Sequence, residues 1–150
     1  SLHDALPISG QVAIVTGGTR GLGRVIAARL VEAGCNVAVC GRNAPDSLPD
    51  QVSFSSCDIR DPEQAKAFVD SVAAEHGRID ILINNAGIGS LTTVEHESDE
   101  VWQRVLNINV IGTARVSKLA IPLLRNSKHA AIVNTASIAA TDPSNVDSHP

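Results

Sequence analysis

A glycine-rich turn between an apolar run and an amphipathic run limits the fold of this chain more than any other feature. The apolar run covers residues 12–15, and the turn that follows covers residues 16–23. Glycines let a backbone turn tightly and approach phosphate oxygens, and the first N–H groups of the next helix favour negative charge. The turn therefore predicts a site for the pyrophosphate of a dinucleotide, formed by Gly17, Thr19, Arg20, Gly21, Leu22 and Gly23.

The spacing of these glycines is distinctive. Glycines at 17, 21 and 23 give the pattern G-x-x-x-G-x-G rather than the more widespread G-x-G-x-x-G. A glycine turn of this kind can also serve only to close the chain between a strand and a helix. Taken alone, the turn leaves the nucleotide site and the purely structural turn both open.

Strand-like and helix-like patterns alternate along the chain. Buried strands in a parallel sheet read as continuous apolar runs, because helices cover both faces of the sheet. The expected fold class is therefore α/β, a Rossmann-like doubly wound parallel sheet that stops after its fifth strand, with right-handed crossovers. The predicted strands cover residues 12–16, 36–40, 52–55, 79–83 and 130–135.

The predicted helices have recognisable boundaries. Asp61 and Pro62 predict the start of the second helix, and Gly77 its end. Ser98 predicts the cap of a long helix that Pro122 kinks or ends. We expect the first helix, residues 22–33, to bury one face, formed by Leu22, Ile26 and Leu30. We expect the long helix to do the same with Val101, Val105, Ile108, Gly112, Val116 and Leu119.

Composition narrows the functional classes. The chain has 150 residues, enough for one domain, and its net charge of −4 with no basic cluster argues against a nucleic-acid partner. No apolar run approaches the ~20 residues of a membrane span. The three cysteines form no C-x-x-C pair and no metal-type spacing, so we expect a cytoplasmic protein with buried cysteines. A reactive thiol is the alternative for each of them.

Three later segments decide the meaning of the glycine turn. They are residues 84–87 (Asn-Asn-Ala-Gly), 107–112 (Asn-Ile-Asn-Val-Ile-Gly) and 132–137 (Ile-Val-Asn-Thr-Ala-Ser). With the turn, their order and spacing resemble the short-chain dehydrogenase/reductase family over residues 9–141. The resemblance implies an oxidoreductase that transfers hydride between a nicotinamide cofactor and a small carbonyl or alcohol substrate. It also implies a homo-oligomeric full-length protein.

The end of the second strand bears on cofactor choice. An acidic residue there would bind the ribose 2′-hydroxyl of NAD, but this chain has Gly41, followed by Arg42. Arg20 occupies a position of the turn where NADP-preferring members of the family often carry a basic residue. Two guanidinium groups suit a 2′-phosphate, so we expect NADP(H) rather than NAD. The alternative is two solvated arginines with no ligand.

Further cofactor contacts follow from the resemblance. It places Asp58 at the adenine amino group, assisted by the backbone of Ile59, although Asp58 could instead only cap a loop. It places Asn85, Ala86 and Gly87 near the cofactor ribose. We assign Asn84 to support of the sheet.

Two residues are candidates for the chemistry. The resemblance gives Ser137 a hydrogen bond to the substrate carbonyl, and gives Asn109 a water in the proton relay. The family's Tyr-x-x-x-Lys segment would fall at or beyond Pro150, and the chain contains no tyrosine. We therefore expect the chain as given to bind NADP(H) weakly and not to reduce carbonyls at an enzymatic rate.

The ends of the chain and two other functions complete the predictions. We interpret residues 1–8 as a non-native leader and residues 9–150 as an incomplete NADP-binding Rossmann domain, because the chain lacks methionine and its opening is unlike the family's. A non-catalytic NADP(H) sensor or regulatory module stays open, and the downstream sequence would discriminate it from the enzyme. A methyltransferase is a third possibility, which the segment 84–87 disfavours.

Overall fold

The computed structural model describes residues 7–90 and 92–137. The predictions for residues 1–6 and for residues after 137 therefore lie outside the described part of the chain. The strands are β1 (Val12–Thr16), β2 (Asn36–Gly41), β3 (Val52–Ser56), β4 (Ile81–Asn84) and β5 (Ala131–Asn134). The helices are α1 (Gly21–Glu32), α2 (Pro62–His76), α3 (Asp99–Leu106) and α4 (Thr113–Leu124).

The strands form one parallel sheet in the order β3-β2-β1-β4-β5. The chain moves outward from β1 to β3, then returns to place β4 on the other side of β1. The sheet therefore has a topological switch point between β1 and β4, and in such sheets ligands bind beyond the carboxyl ends of the strands at that point. The predicted Rossmann-like fold is confirmed.

The core lies on both faces of the sheet. All five residues of β1 are buried, as its central place requires. On one face, Ile14 and Leu82 pack with Phe68 of α2 and Val116 of α4. On the other face, the buried side chains of β1 and β2 pack against α1, which contributes Ala27, Ile26 and Leu30.

Two predicted helix caps are confirmed. Asp61 accepts hydrogen bonds from the backbone N–H groups of Glu63 and Gln64, and Gln64 returns a bond from its side-chain amide. The Gln64 side-chain oxygen also accepts from the Asp58 N–H (2.9 Å), and Gly77 ends α2 in the left-handed conformation at φ 70°. Ser98 caps α3 through the N–H of Val101.

The prediction that Leu22 lies on the buried face of the first helix is wrong. Ile26 and Leu30 do pack on the core, but the Leu22 side chain is 59% exposed. Leu22 is in the first turn of α1, directly after the loop that leaves the carboxyl end of β1. That turn lies beyond the end of the strands, so it has no sheet surface on which to pack.

The long helix is also different from its prediction. A π-helical segment, Asn107–Gly112, separates α3 from α4, and α4 continues past Pro122 to Leu124. Pro122 removes only one backbone hydrogen bond near the end of the helix, while the buried Ala120 and Leu124 hold the last turn on the core. Within the described residues, no helix is long and apolar enough to cross a membrane.

The outermost strand, β5, is exposed rather than buried. Ile132 is 42% and Val133 is 50% exposed, although β5 pairs with β4 along its length. The prediction that all five strands are buried was therefore wrong for β5. β5 is an edge strand whose single partner strand is β4, and none of its residues belongs to either of the two core clusters.

A buried carboxylate joins the strands at the amino end of the sheet. Asp80 is fully buried and accepts hydrogen bonds from the Val12 backbone (2.9 Å), the Ser127 hydroxyl (2.6 Å) and the Arg78 guanidinium (2.7 and 2.8 Å). Burial alone would raise the pKa of Asp80, but these hydrogen bonds and the Arg78 charge outweigh it and lower that pKa. Asp80 thus links the starts of β1 and β4 to the loop before β5.

We expect Asp80→Ala to lower the free energy of unfolding at pH 7 by about 3 kcal/mol, because buried donors lose their acceptor. A carboxyl whose pKa is lowered in the folded state stabilises above its unfolded pKa, about 3.9, and loses that effect as pH falls through the folded value. Urea unfolding should therefore show a smaller difference from the parent protein at pH 3 than at pH 7.

Asp70→Ala is the matched control for this prediction. Asp70 pairs with Lys66 on the surface of α2, and both side chains are more than half exposed. Such a pair contributes about 0–1 kcal/mol. Equal destabilisation by the two substitutions would contradict the role assigned to Asp80.

Candidate nucleotide-binding site

A cleft of about 600 Å³ lies beyond the carboxyl ends of the central strands. Its position is the one that the switch point between β1 and β4 predicts. Leu22 and Gly23 do not line it, whereas the other predicted cofactor-binding residues do. Those residues are Gly17, Thr19, Arg20, Gly21, Arg42, Asp58, Ile59, Asn85, Ala86 and Gly87.

The glycines of the turn have separate structural causes. Gly17 has φ 65°, a conformation that side chains disfavour, and a Cβ there would lie 3.0 Å from the Cα of Ala86. A Cβ at Gly23 would lie 2.2 Å from the carbonyl oxygen of Gly17. Gly23 therefore lets α1 pack directly against the turn, and it shapes the cleft without lining it.

The amino end of α1 faces this cleft without a side-chain cap. Its N-cap residue, Arg20, makes no side-chain capping hydrogen bond, and the first turn contains no acidic residue. Helices α2 and α3 differ, because Asp61 and Ser98 cap them. The first N–H groups of α1 and its positive dipole end are therefore available to an anion, which fits the pyrophosphate predicted from the turn.

Thr16 and Asn85 fix the turn to the end of β4. The buried Thr16 hydroxyl accepts hydrogen bonds from the backbone N–H groups of Asn85 (3.1 Å) and Ala86 (3.0 Å). The Asn85 amide donates to the carbonyl oxygens of Thr16 and Gly17, both at 3.2 Å. Asn85 was predicted to lie near the cofactor ribose, and the structure gives its side chain a second role as a brace of the glycine turn.

Asn84 has the supporting role that the sequence suggested. Its side-chain amide donates to the Ser117 hydroxyl of α4 (3.0 Å) and to the side-chain oxygen of Asn134 in β5 (2.8 Å). It therefore connects β4 to α4 and to β5.

Three arginines surround one side of the cleft. Arg20 and Arg42 were predicted there, and Arg24 of α1 also lines it. Arg24 donates a hydrogen bond to Ser47, which ties it to the loop after β2 (3.1 Å). Asp46 is the acidic residue of that loop that lines the cleft.

Gly41 lies where an acidic residue would favour NAD. A Cβ at Gly41 would lie 2.9 Å from the Thr19 hydroxyl and 3.0 Å from its methyl group. The Thr19 side chain therefore occupies the space into which a larger residue at 41 would extend.

Asp58 is part of a tight ion pair. Its carboxylate accepts hydrogen bonds from the Arg60 backbone and guanidinium at 2.5 to 3.0 Å. The hydrogen bond from the Arg60 side chain holds the pKa of Asp58 below its ordinary value, and the nearby Arg42 adds to this effect. An adenine amino group at Asp58 would have to share the carboxylate with Arg60.

Asn109 holds the loop after β4 rather than pointing freely into the cleft. Its side-chain oxygen accepts from the Ile88 N–H (2.9 Å), and its amide donates to the Ile88 carbonyl (2.8 Å). Both ends of the side chain are thus engaged by one backbone segment, next to Gly87. The π-helical segment that contains Asn109 is a feature often found at functional sites.

Ser137 lies three residues beyond the end of β5, at the same edge of the sheet as the cleft. Its neighbour Thr135 continues the pairing with β4 through a backbone hydrogen bond to the Asn84 carbonyl (3.0 Å). Ser137 is exposed and does not line the cleft.

Sequence reasoning missed several residues that line the cleft. Arg24 follows the glycine turn by one residue, and its place in the first turn of α1 was the available signal. The loop that contains Asn43 gave none, because it lacks regular structure. The other missed lining residues are Cys40, Ala44, Pro45, Asp46, Cys57, Ile88 and Ile108.

The fold and the position of the cleft are those of a protein of the Rossmann type. The profile of the short chain dehydrogenase family matches residues 11–149. The chain therefore belongs to the short-chain dehydrogenase/reductase family, whose members are oxidoreductases that use NAD or NADP.

Named relatives illustrate the family. The chain is 36% identical over 143 residues to D-threitol dehydrogenase of Mycolicibacterium smegmatis, covering 89% of this chain and 55% of the relative. It is 29% identical over 138 residues to the 3-oxoacyl-acyl-carrier-protein reductase FabG of Escherichia coli, covering 88% and 57%. Ligand-free aldohexose dehydrogenase of Thermoplasma acidophilum matches with a TM-score of 0.85 and 36% identity, covering 90% and 52%. The chain thus spans about half the length of each of these three relatives.

We expect Gly23→Ala to disrupt the cleft, because the new methyl group meets backbone that cannot move without displacing the turn. The cost expected for such overpacking is about 1–3 kcal/mol, with a matching fall in melting temperature. Gly89→Ala is the control, since a Cβ there has open space and the backbone has no positive φ. Equal melting temperatures for the two variants would contradict this account of the turn.

Proposed function

We propose that this chain is the nucleotide-binding part of an NADP(H)-dependent oxidoreductase that exchanges hydride with a carbonyl or alcohol substrate. The observation that carries the proposal is the composition of the cleft. A glycine turn and an uncapped helix end face it, arginines surround one side, and Gly41 stands where a carboxylate would select NAD. The turn and the helix end favour the pyrophosphate of a dinucleotide. The arginines and the absence of a carboxylate at 41 favour an additional phosphate on the ribose.

The preference for NADP rests on charge and on space. A 2′-phosphate carries negative charge that Arg20 and Arg42 can bind through paired N–H donors. Both side chains are exposed and line the cleft, and neither takes part in an ion pair among the described residues. A Cβ at Gly41 would lie 2.9 Å from the Thr19 hydroxyl, so an acid at that position would require the Thr19 side chain to shift.

The remaining cofactor contacts follow the order of the strands. Asp58 and Ile59 follow β3, and we assign them to the adenine end. Asn85, Ala86 and Gly87 follow β4 on the other side of β1, and we assign them to the ribose near the nicotinamide. The glycine turn after β1 lies between these groups, where the pyrophosphate belongs.

The residues of this chain would position the reactants and stabilise charge. When bound, the nicotinamide ring supplies or accepts the hydride. We propose that the Ser137 hydroxyl donates a hydrogen bond to the substrate oxygen, where negative charge develops during carbonyl reduction. Asn109 acts as a positioning residue, because its two hydrogen bonds fix the Ile88 backbone beside Gly87.

The proposed substrate class is a small carbonyl or alcohol compound. The named relatives are a D-threitol dehydrogenase, an aldohexose dehydrogenase and a 3-oxoacyl-acyl-carrier-protein reductase. Because such different substrates occur among similar chains, the likeness does not select one of them.

We expect Arg42→Ala to weaken NADPH binding by about tenfold to a hundredfold, the range for losing a hydrogen bond to a charged group. NADH binding should change by less than about threefold, because NADH lacks the 2′-phosphate. Titration of the nucleotide fluorescence with the 150-residue chain measures both affinities. Equal affinity of the parent chain for NADPH and NADH would refute the proposed preference.

Arg29→Ala is the matched control for the arginine test. Arg29 lies on α1 like Arg24, but it pairs with Glu32 on the exposed surface and does not line the cleft. Its removal changes the net charge as Arg42→Ala does. A similar loss of NADPH binding in both variants would mean that general charge, not the cleft, attracts the nucleotide.

In a longer chain that carries the family's Tyr-x-x-x-Lys segment, Ser137→Ala should lower kcat by roughly tenfold to a thousandfold, the scale for losing one oxyanion donor. NADPH affinity should be unchanged, because Ser137 does not line the cleft. Steady-state kinetics with a panel of ketones and aldehydes measure the effect. An unchanged kcat would remove Ser137 from the mechanism.

A further inference from the structure

Two cysteines that the proposed function does not use meet at the floor of the cleft. Cys40 is in the last part of β2, and Cys57 directly follows β3. In the pairing of these strands Cys40 is opposite Ser55, so Cys57, two residues further on, has its side chain on the same face. Both side chains belong to one core cluster, and both residues line the cleft.

The two thiol groups are neighbours on adjacent strands, and each shifts the pKa of the other. The backbone N–H of Cys57 also donates a hydrogen bond to the Gly41 carbonyl (2.9 Å), which holds the two strand ends together. The third cysteine, Cys35, lies in the opposite core cluster and donates to the Ile8 carbonyl. The chain therefore carries a dithiol pair and, well separated from it, a single thiol.

The backbone spacing disfavours a disulfide between the pair. Neighbouring strands are ~4.8 Å apart and each residue rises ~3.3 Å, so a diagonal offset of two residues separates the α-carbons of Cys40 and Cys57 by about 8 Å. A disulfide needs less than about 7 Å unless the backbone moves. One larger thiophilic atom bound between two neighbouring sulfurs does not require the α-carbons to come that close.

The two thiols also differ in acidity. The hydrogen bond from Cys40 holds the pKa of Cys57 below its ordinary value. Cys40, as the partner in that bond and as the more buried group, has its pKa raised. Cys57 is thus the thiol that ionises first and attacks as thiolate.

We propose that Cys40 and Cys57 form a binding site for a single thiophilic atom, of the class of trivalent arsenicals, beneath the nucleotide cleft. The Cys57 sulfur forms the first arsenic–sulfur bond, and the Cys40 sulfur forms the second. The arsenic–oxygen bond of the reagent breaks, and its oxygen leaves as water with the two thiol protons. Arsenic stays trivalent, so no oxidant or reductant takes part.

The site has a consequence for nucleotide binding, which rests on the proposed function. Cys40 precedes Gly41, and Cys57 precedes Asp58, the residue assigned to adenine. An organic group carried on arsenic at this point would extend into the cleft where the adenine end of the nucleotide lies. Occupation by the arsenical and by NADPH should therefore exclude each other.

The test uses phenylarsine oxide with the 150-residue chain. Intact mass spectrometry should show one phenylarsenic group per chain, and thiol titration after unfolding should leave only Cys35 reactive. A small dithiol, but not a monothiol at the same concentration, should reverse the binding. Cys40→Ala and Cys57→Ala should each weaken binding by about a hundredfold, because the two-point attachment is lost.

Cys35→Ala is the matched control and should bind phenylarsine oxide like the parent chain. Cys40→Ser and Cys57→Ser, which keep a hydrogen-bonding group, check that any loss is not caused by unfolding. Circular dichroism of all variants gives the same check. Binding by single-cysteine variants as tight as by the parent, or no binding at all, would overturn the proposal.

Saturating NADPH should slow the reaction at least about tenfold, and nucleotide fluorescence reports independently whether NADPH is bound. If NADPH binds and does not slow the reaction, the dithiol does not lie beneath the nucleotide. The proposed mutual exclusion of the arsenical and NADPH is then wrong. If NADPH does not bind, the proposed function fails while capture of the arsenical by the pair still decides the dithiol site.

Discussion

The hydroxyl group of Thr16 is the contact on which the cleft depends. It is buried where β1 ends, and it accepts the two backbone N–H groups with which the chain leaves β4. At a switch point, the loops that follow the two neighbouring strands, here β1 and β4, lead away to opposite faces of the sheet. A shared hydrogen-bond acceptor keeps the carboxyl ends of the two strands together. The Asn85 amide adds two bonds to the same turn, and the Gly17 carbonyl then meets α1 at Gly23. The position of the helix end therefore follows from one strand-end contact.

The polar groups at the two ends of the sheet differ in how completely they are hydrogen-bonded. At the amino end, Asp80 gathers donors from a strand, a loop and an arginine, and this network is buried and closed. At the carboxyl end, α1 begins without a cap and the arginines Arg20 and Arg42 are exposed. Satisfied buried groups stabilise a fold, whereas unsatisfied donors in a cleft favour a ligand of opposite charge. The amino ends of the strands thus carry a polar network that stabilises the fold, and the carboxyl ends carry the polar groups that face the cleft.

The fold was predictable because its signals are local, and parts of the site were not because they depend on distant contacts. Apolar runs and the cap at Asp61 fixed the order of elements. The exposure of Leu22 and of β5 depends on where the sheet ends, which periodicity does not report. The π-helical segment around Asn109 has no sequence pattern of its own, and the hydrogen bonds of that side chain to Ile88 join residues that are distant in the sequence. The position of Arg24 and of the cysteine pair at the cleft depends on how α1, β2 and β3 pack together, which no local sequence pattern reports.

The contact between Thr19 and Gly41 restricts how the cofactor preference of such a protein could change during evolution. An acid at 41 is the substitution that would create affinity for NAD, but its Cβ meets the Thr19 side chain at 2.9 Å. The effect of that substitution is therefore conditional on what occupies position 19, a case of epistasis between two neighbouring loops. A smaller residue at 19 opens that space, but Thr19 itself lines the cleft, so the same change also alters the surface offered to the cofactor. The effect of a double substitution at 19 and 41 is therefore not the sum of the two single effects.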